Sequence, residues 1–314
     1  MKINITLIAF QLFFVNVFYG SSIYVMDASQ NQVVVIDSST NEITTTISSD
    51  SFNFLNAISV MTSSPDGSYV YVPNNYGNSV SVIDTATNTV LTTIDVGDRP
   101  GRGIAATPDG QFIYVSNGGD YTVSVIDTAT FSVQATIDVP GAPLGLAISP
   151  DGTAALVVGS SGSLSLIDIA TNTVSQTLYG LGRSCQGIAI TPDGQYAYIT
   201  SNDPGISIVE LSTFTLSNTV EIASSPFVCV TLDGSFAYAT NWFFSDISII
   251  DTSTQQVTGT ISVGDSSLDM AMLPNTTLAY VTNIGSGTVF VIDTSTNTVV
   301  NFISVGYPTG ITIP

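Results

Sequence analysis

The sequence predicts an all-β chain: a seven-bladed β-propeller of four-stranded antiparallel blades, closed by a C-terminal strand that completes the first blade. Three observations predict it. Seven strands end in an apolar pair and an acid, and these acids (Asp37, Asp84, Asp127, Asp168, Glu210, Asp251 and Asp293) recur at steps of 47, 43, 41, 42, 41 and 42 residues. A period near 40 built from short β-branched segments marks a radial array of small sheets. A second turn, Pro-Asp-Gly, repeats in step at Pro65, Pro108, Pro150 and Pro192, and weakens to Leu232-Asp233-Gly234 and Pro274-Asn275-Thr276. The third observation is that the repeat is out of frame at its two ends.

One unit, starting at Gly103, shows why each element lies where it does. Gly103-Ile104-Ala105-Ala106-Thr107 is strand A, kept small because inner strands crowd around an axis. Pro108-Asp109-Gly110 turns the chain: Pro presets φ, Asp bonds its own backbone, and Gly takes the left-handed position. Phe112-Ile113-Tyr114-Val115 is strand B, a loop follows Ser116-Asn117, and Thr122-Val123-Ser124-Val125-Ile126-Asp127 is strand C. Thr128-Ala129-Thr130 turns into strand D, Val133-Gln134-Ala135-Thr136-Ile137. Alternating β-branched residues between turn residues are what half-buried strands require. The acid ending strand C is expected to accept backbone N–H groups of the next turn. Both repeated turns fall on one rim, and their sameness marks them as scaffold.

The frame locates the closure. Ile23-Tyr24-Val25-Met26 is a strand B with no strand A before it, and Pro308-Thr309-Gly310-Ile311-Thr312-Ile313 is a strand A with no strand B after it. Laying the last beside the first completes a blade and removes an open sheet edge.

Tyr280-Val281-Thr282-Asn283, with near copies at Tyr114-Val115-Ser116-Asn117 and Tyr238-Ala239-Thr240-Asn241, resembles the tetrapeptide of the YVTN β-propeller repeat family. Val291-Ile292-Asp293-Thr294-Ser295-Thr296-Asn297-Thr298-Val299 is similar to the rest of that repeat, and the resemblance covers residues 22 to 314. It implies a seven-bladed ring of the surface-layer or exported bacterial type, and it carries no catalytic residue to transfer.

Residues 1–20 stand apart. Lys2 precedes a largely apolar stretch, Ile5 to Phe18, and Tyr19-Gly20-Ser21-Ser22 turns small and polar. That order reads as a secretory signal peptide, followed by a single propeller domain over 22–314. The expected location is therefore secreted, at the cell surface or in the periplasm, with no membrane insertion once the signal is removed. The chain of 314 residues carries 4 Lys and Arg, 24 Asp and Glu and no His, for a net charge of -20. Such a surface repels phosphate backbones, which excludes nucleic acid as a partner. Half of the acids have architectural positions in the two repeated turns. Cys185 and Cys229 fall about four residues apart on neighbouring inner strands, roughly 13 Å of rise, and are expected to stay unpaired.

Variation between units points to the other rim, where D–A and B–C loops emerge and binding on rigid scaffolds usually resides. Arg99, Arg102 and Arg183, the basic residues after the signal, are all expected in D–A loops and suit a carboxylate or sulfate, against a structural reading of pairing with Asp95, Asp98 or Asp138. Trp242-Phe243-Phe244 fills one B–C loop, and Tyr76, Tyr121, Tyr179 and Tyr307 map to the same rim; exposed rings suit a sugar face or a protein. The alternative is that Phe243 or Phe244 folds inward over the channel mouth. The link Asp50-Ser51-Phe52-Asn53-Phe54-Leu55 is longer than its counterparts and reads as a packed loop before a plug.

Enzyme readings meet the absence of His, which removes the usual general base, metal ligand and haem ligand. No Gly-x-Ser-x-Gly elbow and no EF-hand spacing is present. The expectation is an exported, non-catalytic, monomeric binding module without cofactor or metal, whose protein or glycan partner docks on the loop rim. A self-associating surface-layer component is the structural alternative. A divergent hydrolase is the catalytic one, and it needs two facing acids among Asp98, Asp265 and Asp269.

Overall fold

The computed structural model describes residues 21–54, 57–222 and 227–314. The proposed signal segment 1–20, and Leu55 of the long link, lie outside the described residues. Seven four-stranded antiparallel sheets form a ring, as the period predicts. Blade one joins Ser22–Asp27, Gln32–Asp37 and Glu42–Ser48 to Pro308–Thr312, whose Ile311 stands opposite Val25. The ring is thus closed by the strand that the frame assigned. The other inner strands are Thr62–Ser63, Pro100–Ala106, Pro143–Ile148, Cys185–Ile190, Val228–Val230 and Ser267–Met272, for blades two to seven.

The turns behave as their chemistry requires. Asp109 Oδ1 accepts the Thr107 hydroxyl at 2.6 Å and the Gln111 N–H at 3.0 Å, while Gly110 holds φ at 72°. Hydroxyl donors first, and backbone N–H groups after them, hold Asp66, Asp109, Asp151, Asp193 and Asp233 below the usual carboxylate range. At the end of strand C, Asp84 Oδ1 accepts the N–H groups of Ala86 and Thr87, both at 2.9 Å. The two turns also meet, because the Thr128 hydroxyl donates to the Gly110 carbonyl at 2.7 Å. They form one scaffold rim.

Each polar residue of the strand-B tetrapeptide has a separate task. The Tyr reaches the next blade: Tyr24, Tyr114 and Tyr238 donate to Oδ1 of Asn88, Asn172 and Asn297 at 2.6 Å, and Tyr280 donates to Asn41 at 2.9 Å. These Asn residues sit at positive φ in the C–D turns, a conformation Asn tolerates better than most side chains. The Thr bonds the irregular inner strand of its own blade: Thr200 Oγ1 receives the Gly187 N–H at 2.9 Å, and Thr282 Oγ1 that of Asp269 at 3.0 Å. The Asn ties strand B to strand C, as Asn117 Nδ2 donates to Thr122 and Ser124 hydroxyls at 3.0 and 2.9 Å.

Three blade junctions depart from the Tyr–Asn latch. Leu156 replaces Tyr and packs in one cluster with Phe214, an apolar substitute for the pair. Tyr71 meets the turn of Phe131, and Tyr198 that of Gln255; both hydroxyls are buried without a partner. Gln255 also holds φ at 53°. Gln255→Asn is therefore expected to stabilise the ring by about 1–2 kcal/mol, by giving a buried donor its acceptor and relieving the backbone. Thermal melts check it, and the gain should vanish when Tyr198→Phe is already present.

Inner strands approach so closely that side chains are excluded at several points. A Cβ on Gly145 would lie 2.7 Å from the Gln186 carbonyl oxygen, and one on Gly310 would lie 2.7 Å from that of Ser59. The long link packs as a loop: Phe52 and Phe54 are buried with ring centroids 5.3 Å apart, and Asn31 Oδ1 accepts the Phe54 N–H at 2.9 Å. Cys185 and Cys229 are both free thiols, pushed up to about 11 and about 12 by burial.

Candidate functional site

The D–A and B–C loops share one face. Asp98 N–H donates to Asp120 Oδ2 at 3.0 Å, and the Ser245 hydroxyl donates to Asp265 Oδ1 at 2.6 Å, each across two loops. The three arginines do not converge on one anion. Arg183 is ion-paired, its Nε 2.6 Å from Asp203 Oδ1, with its N–H on Asp203 Oδ2 at 2.8 Å. That pairing holds Asp203 below the usual carboxylate range. The partner is not Asp95, Asp98 or Asp138, since a loop twenty residues along the chain brings Asp203 in. Arg99 is an exposed rim residue at φ 53°, its backbone N–H on Asn78 Oδ1 at 3.2 Å. Arg102 is not in a loop but in the inner strand Pro100–Ala106, whose start reaches back past Gly103, and it lines the axis.

The aromatic set divides in the same way. Phe243 and Phe244 are 74 % and 65 % exposed, so neither ring folds into the core to close the channel. Trp242 beside them is half-buried. Tyr76, Tyr121 and Tyr179 are exposed, and Tyr307 packs against the core of blades one and two. Two acids are tied to the loop that carries these rings: Asp246 accepts from Asn241, and Asp265 holds the Ser245 next to Phe244. The loop face therefore presents bare phenyl rings on a loop tied to two acids.

A second concave feature lies on the axis. A cavity of about 180 Å³ is lined by every blade, among them Val60, Arg102, Gly145, Gly187, Asp269 and Ile311. Asp269 is only 2 % exposed. Burial raises its carboxyl to about 7, against the opposing pull of N–H groups from Ile311 and Met270. Its Oδ2 accepts Ile311 N–H at 3.0 Å and its Oδ1 accepts Met270 N–H at 2.8 Å. The first of these bonds ties blade seven to the closing strand. Arg102 Nη1 donates to Gln186 Oε1 of blade five. The guanidinium is accessible to water yet enclosed by channel wall, which lowers its pKa.

Asp98 and Asp265 are exposed loop acids, whereas Asp269 is the one acid of the axial wall. The candidate acids are thus split between the loop face and the axial wall, whereas two-carboxylate hydrolysis needs a facing pair. Among the described residues, no group of three or more Cys, Asp and Glu is placed to hold a metal. Sequence reading missed Gln186, whose role depends on Arg102 reaching across the axis. It also missed Asp203, which has no motif.

Comparison with known proteins supports the fold. A family described as YNCE-like beta-propeller matches residues 48–173, about two-fifths of the chain. No curated protein matches the sequence. Among solved structures, hydrazine synthase of Kuenenia stuttgartiensis is similar at 23 % identity and TM-score 0.73, over 80 % of this chain and 87 % of that one. A functionally unknown protein from Desulfotomaculum acetoxidans DSM 771 is similar at 20 % identity and TM-score 0.81, over 94 % and 99 %. Dihydro-heme d1 dehydrogenase NirN, in complex with DHE, is similar at 16 % and TM-score 0.67, over 90 % of this chain and 63 % of that one. At such identities the likeness is one of fold.

Proposed function

We propose that this β-propeller is an exported, non-catalytic binding module of the YVTN type, and that its partner is a basic protein surface with an apolar pocket, docked on the loop face. The observation that carries the reading is the exposure of Phe243 and Phe244 on a rim whose neighbouring charges are Asp246 and Asp265. Adjacent exposed phenyl rings are anchors that a protein pocket desolvates. A chain charge of -20 steers cationic partners and repels anionic ones. The apolar N-terminal stretch after Lys2 supports export.

The test is retention of envelope proteins on immobilised wild type and on a Phe243→Ser/Phe244→Ser variant, at low and high salt. The variant should melt like wild type, because both rings are exposed. It should lose retention of basic proteins by roughly tenfold or more, and salt should lower wild-type retention similarly. An unchanged retained set, or a wild type that only self-associates on sedimentation, overturns the reading.

A further inference from the structure

Six of the seven inner strands present one residue each at a common level around the axis, the residue preceding Ile104, Leu146, Ile188, Val228, Met270 and Ile311 in the strand register. Those positions hold Gly103, Gly145, Gly187, Phe227, Asp269 and Gly310. Four glycines leave a hollow, and a single acid projects from the same level. Across the hollow Arg102 supplies a cation. The ion pair among the described residues is Arg183–Asp203, so Arg102 and Asp269 face one cavity without pairing with each other. Ile104, Leu146, Ile188 and Met270 make much of the remaining wall apolar.

We propose that the axial cavity binds a small zwitterion, an amino acid with an apolar side chain, with its carboxylate on Arg102 and its ammonium on Asp269. Charge logic selects this class. A simple anion would satisfy Arg102 and leave Asp269 without a counter-charge, and a simple cation would do the reverse. A neutral apolar ligand would strip water from both charges and pair neither. A molecule bearing both charges satisfies both walls, and the gap beyond direct ion-pair range gives it room. The volume, about 180 Å³, corresponds to roughly six waters at about 30 Å³ each, enough for an amino acid up to about the size of leucine. The raised carboxyl of Asp269 accords with a site that lacks its counter-charge until a ligand supplies one.

Isothermal titration calorimetry with glycine and L-leucine tests this, with 4-methylpentanoate lacking the ammonium and leucinamide lacking the carboxylate as controls. L-Leucine should bind, and each control should bind roughly tenfold or more weakly, as expected when one charged contact is lost. Arg102→Met and Asp269→Asn should each weaken leucine binding to a similar degree, with melts confirming that both variants fold. The Phe243→Ser/Phe244→Ser variant should bind leucine as wild type does, which separates this site from the loop face. Binding of 4-methylpentanoate equal to that of leucine, undiminished leucine binding by Asp269→Asn, or no heat with either amino acid overturns the proposal.

Discussion

Asp269→Asn is expected to make the protein more stable at pH 8 and to remove the pH dependence of its stability between pH 5 and 8. The folded carboxyl lies at about 7 and the unfolded one at 3.8. Between those values the folded state holds a proton that the unfolded state has released, so stability falls as pH rises. Below 3.8 both states are protonated and the residue is neutral; above 7 the full cost of an ionised buried group is present. A difference of about three pKa units corresponds to roughly 4 kcal/mol, at 1.36 kcal/mol per unit. Asn retains one carbonyl oxygen for Met270 or Ile311 and leaves the other N–H short of an acceptor, at about 1–3 kcal/mol. The net gain at pH 8 is therefore about 1–3 kcal/mol, and near pH 4, where the ionisation cost has gone, the variant is the less stable by about 1–3 kcal/mol.

The sign is readable because the other groups with a resolved shift lie outside that window. The chain has no His. The turn carboxylates have folded pKa values below the usual range, so their stabilisation is present above the unfolded value and is lost only as pH falls through the lower folded one. The thiols are raised to about 11 and about 12, far above it. Chemical denaturation of wild type and variant at pH 5, 6.5 and 8 should give a falling series and a level one. Two level series would mean that Asp269 titrates normally, and the axial site would lose its chemical distinction.

What the chain reveals in advance follows from how local each feature is. The turns are four-residue problems solved by Pro, Asp, Gly and Thr, so their positions and hydrogen bonds can be read from spacing alone. The closing strand is legible because the repeat frame breaks at both ends. Ion pairs across loops are not, since Arg183 finds Asp203 through blade geometry that no neighbouring residue announces. Asp269 is an intermediate case. Among three acids open to a hydrolase reading, it carries a sharper signal in the frame itself, standing where Gly103, Gly145, Gly187 and Gly310 stand in other blades. An acid in place of a crowding glycine marks a site that packing does not require. For Phe243 and Phe244, composition flags the loop, but only the fold decides that the rings face outward.

The same crowding gives the largest expected loss of stability, in Gly310→Val. Its Cβ would meet the Ser59 carbonyl oxygen at 2.7 Å and Val60 Cα at 2.9 Å, both backbone atoms of the neighbouring blade. Gly145→Val meets comparable atoms, the Gln186 oxygen at 2.7 Å and Gly187 Cα at 3.0 Å. The two differ in connectivity. Gly145 lies in a strand whose blade is covalently continuous, so the clash is relieved by a shift costing about 1–3 kcal/mol. Gly310 lies in Pro308–Thr312, held to blade one by pairing alone, and displacing it reopens the ring. Its loss should exceed about 3 kcal/mol, with Ser22–Asp27 left as an unpaired edge. Ile311 N–H would then leave Asp269, and the carboxyl would meet water. Gly310→Val should thus lower the melting temperature more than Gly145→Val and also flatten the stability profile between pH 5 and 8. A Gly310→Val protein that melts with wild type and keeps its pH slope would show that the closing strand does not bear on the ring.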